Sequence, residues 1–239
     1  MGYIDIHSHI LPDIDDGPIN IDEAIILLKQ EKENGISSVI CTPHFYPEAE
    51  ELETHIKKCR TALNVLKESI KNADLPRIFL GHEVHYFTGI SKCADLDKLC
   101  IEGTNILLLE LPFLTPLSEH MLTEVINIDR NLGINVILAH IERYSNDKLF
   151  KKLLKIIANK HAQGQVNADS ALNRYLLKTV GKLIKRGYVS YIASDAHSPD
   201  TRPVLIKKAY SVLKEKYYSQ LVAIKKNTDK LESKIMQGE

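Results

Sequence analysis

Ile4-Asp5-Ile6-His7-Ser8-His9-Ile10-Leu11-Pro12 decides how this chain folds. Isoleucines at 4, 6 and 10 follow the two-residue period of a β-strand, so Asp5, His7 and His9 are expected to project from one face. Two imidazoles aimed the same way make half of a metal site. A lone His on a polar face is more often a satisfied surface residue, so the pair gains meaning only from what recurs downstream.

Working outward, a turn signature at Asp13-Ile14-Asp15-Asp16-Gly17-Pro18 precedes helical periodicity over about 21–34, which stops at Gly35. Residues 37–42 read as a second strand ending in Thr42-Pro43-His44, and about 48–71 as a charged amphipathic helix. Residues 77–86 form the third expected strand, carrying Gly81-His82-Glu83-Val84-His85, and 106–111 the fourth, apolar except for Glu110. Residues 135–141 end in Ala139-His140-Ile141-Glu142-Arg143, 165–168 make a short strand, and 189–194 run into Ser194-Asp195-Ala196-His197.

Helices separate nearly all of these seven strands, which predicts an α/β protein with a parallel sheet covered on both faces. His7, His9, His44, Glu83, Glu110, His140, Asp195 and His197 all fall at strand carboxyl ends. Six of the seven strands contribute, which favours a closed barrel over an open sheet, where ligands gather at one switch point. One domain over 1–239 is expected, with a Lys-rich helical tail from about Tyr210 that reads as a solvated face or a docking helix.

Composition narrows the function. In 239 residues Lys+Arg equal Asp+Glu at 31 each, which gives no support for bulk attraction to nucleic acid or membrane. Cys41, Cys59, Cys93 and Cys100 are too widely spaced for a disulfide framework or a Cys-x-x-Cys zinc site, which suggests a reducing compartment. No secretion-type leader and no apolar run of about 18 residues is present, so a soluble cytoplasmic protein is expected.

Glu110 within Ile106-Leu107-Leu108-Leu109 would cost several kcal/mol to bury unpaired. The neighbouring strand cores offer no Lys or Arg but several His, so a metal is the better partner. Imidazole with carboxylate suits Mn, Fe or Zn. The ligands are too many for one ion; two or three bridged ions would use them, and such sites hydrolyse phosphate esters and amides through an acidified water. Arg143 and Arg202 lie in loops at the same end, where a guanidinium fork matches phosphate oxygens; surface Arg in solvated loops is the plainer alternative for either alone.

The motifs His7-Ser8-His9, Asp15-Asp16-Gly17, Thr42-Pro43-His44, Gly81-His82-Glu83, Glu110-Leu111-Pro112, Ala139-His140-Ile141-Glu142-Arg143-Tyr144, Gln165-Val166-Asn167-Ala168 and Ser194-Asp195-Ala196-His197 are co-linear from residue 3 to about 203. Together they resemble the polymerase-and-histidinol-phosphatase (PHP) superfamily, and more narrowly the bacterial manganese-dependent tyrosine-protein phosphatases of capsule and exopolysaccharide operons. The resemblance implies a distorted seven-stranded (β/α)7 barrel with three divalent ions, manganese foremost. By motif position, His7, His9, Glu83 and Asp195 would hold one ion. Glu83, Glu110 and His140 would hold the second, and Asp16, His44 and His197 the third. Arg143 and Arg202 would hold phosphate. Asp15 adjoins Asp16, and a one-residue shift of the turn would exchange them. The implied reaction is attack of a metal-bound hydroxide on a phosphotyrosine, and the implied partner is the Tyr-rich tail of an autophosphorylating bacterial tyrosine kinase that controls polysaccharide export.

No Cys has Arg six residues on, so a phosphocysteine route is excluded. His85 is read as supporting a ligand or making a structural hydrogen bond, and Asn167 as orienting a ligand or capping a helix. His82, His55, His120 and His161 are read as non-ligands. The alternatives are a small-molecule phosphatase of histidinol-phosphate type, a trimetal nuclease disfavoured by the neutral charge, and a noncatalytic metal-binding module.

Overall fold

The computed structural model describes residues 3–237. Strand β1 (Tyr3–Ser8) leads to helix α1 (Ile21–Glu33), which starts where the Asn20 side chain accepts the Glu23 backbone N–H at 3.0 Å. There follow β2 (Ile36–Cys41), β3 (His44–Phe45), α2 (Leu52–Ile70), β4 (Arg77–Leu80), β5 (Glu83–His85), β6 (Ile106–Glu110) and α3 (Glu119–Leu132). The chain continues through β7 (Asn135–Leu138), α4 (Phe150–Ala158), β8 (Gln163–Asn167), α5 (Leu177–Lys185), β9 (Tyr191–Ala193) and α6 (Ile206–Gln237). The strands pair in parallel, in a three-stranded sheet ordered β1-β2-β4 and a six-stranded sheet ordered β3-β5-β6-β7-β8-β9.

Seven unbroken strands are therefore not what is observed. The expected second strand stops at Thr42-Pro43, because Pro43 has no N–H for the ladder, and resumes as β3. The expected third strand divides at Gly81-His82, so that Leu80 pairs with β2 while Glu83 pairs with both β3 and β6. A Cβ on Gly81 would come within 2.9 Å of Ile40 Cγ2, and glycine permits this close passage.

Alternating strand residues serve two cores. Ile6, Ile40, Phe79, Leu108, Ile137 and Tyr191 belong to an inner cluster, while Val39, Leu107, Leu109, Val136 and Leu138 pack in the larger cluster shared with the helices. Leu231 and Ile235 of α6 join the inner cluster, and Glu232 accepts from Ser38 Oγ at 2.6 Å and Arg77 Nη2 at 3.2 Å. The last helix thus starts before Tyr210 and docks against the amino-terminal ends of β2 and β4, opposite the strand ends that carry the site.

The expectation that Asp5 shares a face with His7 and His9 is corrected. Asp5 pairs with Val39 and Ser8 with Cys41, one residue more on β1 than on β2. This bulge re-aims the chain, as inserted residues do. Asp5 faces Glu31 of α1 and accepts the Ser194 N–H at 3.0 Å, while His7 and His9 reach the rim. Beyond β9 the chain returns to β1: Asp195 N–H donates to His7 O at 2.9 Å, and His9 N–H to Ala196 O at 2.8 Å.

Candidate metal centre

Every expected ligand residue arrives at this rim. His7 Nε2 and His9 Nε2 are 3.2 Å apart, and Glu83 Oε2 lies 3.1 Å from the first and 3.2 Å from the second. Asp195 Oδ1 completes the group at 3.5 and 3.6 Å from the two nitrogens. His140 Nε2 stands 3.0 Å from Glu83 Oε1 and 3.2 Å from Glu110 Oε1. On the other side His197 Nε2 is 3.1 Å and His44 Nε2 3.6 Å from Asp16 Oδ1. Glu83 is the hub, since His44 Nδ1 also lies 3.1 Å from its Oε2.

Strand parity explains the delivery. Ile106 and Leu108 point into the inner cluster, so Glu110 continues that face to the open end; Tyr191 and Ala193 do the same for Asp195. His140 and Asp195 both take left-handed backbone, with φ of 32° and 53°, which turns each chain sharply at its strand end. Non-glycine residues there are strained, and such strain gathers at functional sites.

Of the adjacent pair in the turn, Asp16 faces His44 and His197, whereas Asp15 lies behind His9, with Oδ2 2.6 Å from Nδ1 and accepting the His44 backbone N–H at 3.0 Å. His85 Nδ1 meets Glu110 Oε2 at 3.1 Å. Asn167 Nδ2 donates to Asp195 Oδ2 at 2.6 Å. Gln165 Oε1 accepts the His140 N–H at 2.7 Å and stands 3.3 Å from His7 Nδ1, a linking role the sequence reading missed. Gln165 is fully buried in a strand that reads Gln-Gly-Gln-Val-Asn, so no apolar pattern in the sequence marked it. His120 and His161 stay away from the rim, paired with Glu124 and Asp129.

Arg143 and Arg202 meet here too: each brings Nη2 to 3.0 Å from Asp195 Oδ2. A cleft of about 390 Å³ opens over these groups, with Tyr46 and Phe113 among its walls.

Burial opposes charge here, yet Asp15 and Glu83 raise His9 to about 10, and Glu110 and Glu83 raise His140 to about 9. Burial likewise works against the Glu110 carboxylate, but His140 and His85 hold it down at about 2. His44 is lowered, first by burial and then by the neighbouring His9. These carboxylates demand cationic partners. His44 Nδ1, Glu83 Oε2 and His197 Nε2 are buried without any hydrogen bond of sound geometry, although each has a polar atom within 3.1 Å. Crowded donor atoms that do not align on one another suit a shared divalent ion, and the His/carboxylate set suits its chemistry.

Fold and rim together define an α/β protein that gathers imidazoles, carboxylates able to hold metal and two guanidiniums at one rim of its sheets. The chain belongs to the family described as capsular polysaccharide synthesis, CpsB/CapC, whose match spans residues 3–231. It is 33% identical over 235 residues to the CapC protein of Staphylococcus aureus, covering 94% of this chain and 89% of that one. It is 28% identical over 219 residues to the tyrosine-protein phosphatase CpsB of Streptococcus agalactiae serotype III (strain NEM316), covering 88% and 89%. A solved structure from work on YwqE of Bacillus subtilis and CpsB of Streptococcus pneumoniae, described as unique metal-dependent tyrosine phosphatases, is similar with a TM-score of 0.77. That similarity is at 25% identity, over 90% of this chain and 87% of the other. The family read from the motifs is thus borne out. Among the described residues no helix is long and apolar enough to cross a membrane.

Proposed function

We propose that this chain is a metal-dependent protein-tyrosine phosphatase. The observation that carries the reading is the convergence of His7, His9, Glu83 and Asp195, of Glu83, Glu110 and His140, and of Asp16, His44 and His197 around one hub carboxylate, with Arg143 and Arg202 beside them. These three groups would hold three divalent ions, manganese foremost. When bound, such ions neutralise phosphate charge and acidify a water for attack.

The protein's own side chains do the rest. Arg143 and Arg202 present planar N–H forks that suit phosphate oxygens in two-point fashion. Tyr46 and Phe113 give the cleft aromatic walls against which a phenyl ring packs. A tyrosyl leaving group has a pKa of about 10, so it departs with less help from a general acid than an alkoxide needs. Gln165 and Asn167 hold His7, His140 and Asp195 in place from behind.

β3 and β5 continue β2 and β4, and β1 meets the end of β9 at Ser8 and Ala196, which supports reading both sheets as one distorted seven-stranded barrel and 1–239 as one domain. The natural substrate on this reading is the Tyr-rich tail of an autophosphorylating bacterial tyrosine kinase that controls capsule or exopolysaccharide synthesis, met in the cytoplasm. The names of the relatives support a phosphotyrosine protein as the substrate class, and the family description supports the capsule context. Elemental analysis of the purified chain beside turnover tests the proposal: Mn-loaded protein should favour a phosphotyrosine peptide over histidinol phosphate and lose activity to a chelator. A reversed preference, or turnover untouched by chelation, would overturn it.

A further inference from the structure

A second group of potential ligands lies outside this centre. His55, Cys59 and His82 are all buried, and each offers one ligand atom within 4.8 Å of the other two. His55 and Cys59 are four residues apart on α2 and share one face of that helix. His82 comes from the junction of β4 and β5, pointing away from its neighbour Glu83. His55 Nε2 is 3.0 Å from His82 Nδ1 and 3.5 Å from Cys59 Sγ. Tetrahedral zinc with bonds of about 2.05 Å to nitrogen and 2.3 Å to sulfur has ligand edges of about 3.3 Å (N to N) and 3.5 Å (N to S), close to these separations.

We propose that His55, Cys59 and His82 form a metal site separate from the rim, taking one borderline divalent ion such as Zn2+ or Co2+ through two imidazole nitrogens and a thiolate.

The surroundings fit. Glu50 Oε2 lies 3.1 Å from His55 Nδ1, so the carboxylate accepts the Nδ1–H and leaves the Nε2 lone pair facing His82 and Cys59, the carboxylate–histidine arrangement that supports metal ligands. The other Glu50 oxygen meets Lys58 at the surface. The thiolate and Glu50 bring two negative charges to the ion's two positive ones. Binding forms the metal–sulfur bond as the Cys59 thiol proton leaves to solvent. His82 and Cys59 are both closed off from solvent, and the ion must displace the thiol proton to ligate sulfur. The ion would tie α2 to the strand junction one residue before Glu83.

Sulfur chemistry separates this site from the rim, whose ligand set contains no thiol. Full-length protein loaded with Co2+ should show a thiolate-to-cobalt charge-transfer band in the near ultraviolet. Cys59→Ser and His82→Gln should each abolish the band and bind one metal equivalent fewer, while His44→Ala keeps it. Zn-loaded wild type should show a sulfur neighbour at about 2.3 Å by X-ray absorption, a readout that stands if either variant fails to fold. Absence of the band and of the sulfur shell in wild type, or a band that persists in both variants, would overturn the proposal.

Discussion

His9 Nδ1 and Asp15 Oδ2 lie 2.6 Å apart, and the same oxygen accepts the His44 backbone N–H at 3.0 Å. One carboxylate thereby orients two neighbouring imidazole residues and fixes which His9 nitrogen faces the hub. Asp15→Ala should weaken metal loading by about 10- to 100-fold, the usual effect of losing such a partner, while saturating metal restores most of the turnover. Titrating Mn against phosphotyrosine hydrolysis checks this; an unchanged titration midpoint would remove Asp15 from the role.

Gly17 holds that turn in place. A Cβ there would stand 2.2 Å from His9 O, a backbone atom with no room to yield, so Gly17→Ala must push the turn and both aspartates away from the rim. Chemical denaturation should show a loss of about 1–3 kcal/mol, the scale of overpacking, with activity falling further than stability does.

Arg143 and Arg202 both end on Asp195 Oδ2, so each is placed to address one bound phosphate. Lysine at either position keeps the charge and loses the fork. Each Arg→Lys change should lower kcat/KM by about 10- to 100-fold, equivalent to ~1.5–3 kcal/mol of charge-assisted hydrogen bonding, and weaken inhibition by inorganic phosphate in parallel. Metal content should stay at the wild-type level; a loss of metal would show that the arginines serve the ligands instead.

Glu31 is buried against the Asp5 carboxyl with neither oxygen in a hydrogen bond of sound geometry. Burial, and next Asp5, raise it well above its ordinary 4.5, so the folded protein keeps a proton that the unfolded chain releases as pH rises past that value. Its contribution to stability is therefore present at acid pH and lost as pH climbs toward the folded pKa. Glu31→Gln needs no proton. The variant should match wild type near pH 4 and exceed it by about 1–3 kcal/mol at neutral pH, the scale of an unsatisfied buried polar group. Urea unfolding at both pH values measures the difference, and a gain independent of pH would refute the account.

The primary structure was sufficient to place His7, His9, Glu110, His140, Asp195 and His197 at strand carboxyl ends, whereas His44 and Glu83 open the short strands β3 and β5 that follow the breaks at Pro43 and Gly81-His82. Apolar runs and turn residues are local signals, and a parallel α/β fold puts all strand carboxyl ends at one rim. The motifs likewise sufficed for the family. Tertiary structure alone decided what depends on partners distant in the chain. Asp15 and Asp16 are equivalent as neighbours, and only their distant partners separate them: His9 Nδ1 and the His44 N–H for Asp15, the His44 and His197 rings for Asp16. Asp5 left the histidine face because a bulge, defined only against β2, broke the alternation. Gln165 found its partners, and His55 met His82, across segments whose approach no periodicity encodes. Side-chain direction along a strand is a local property, whereas which buried polar atoms meet is set by how the sheets curl and divide.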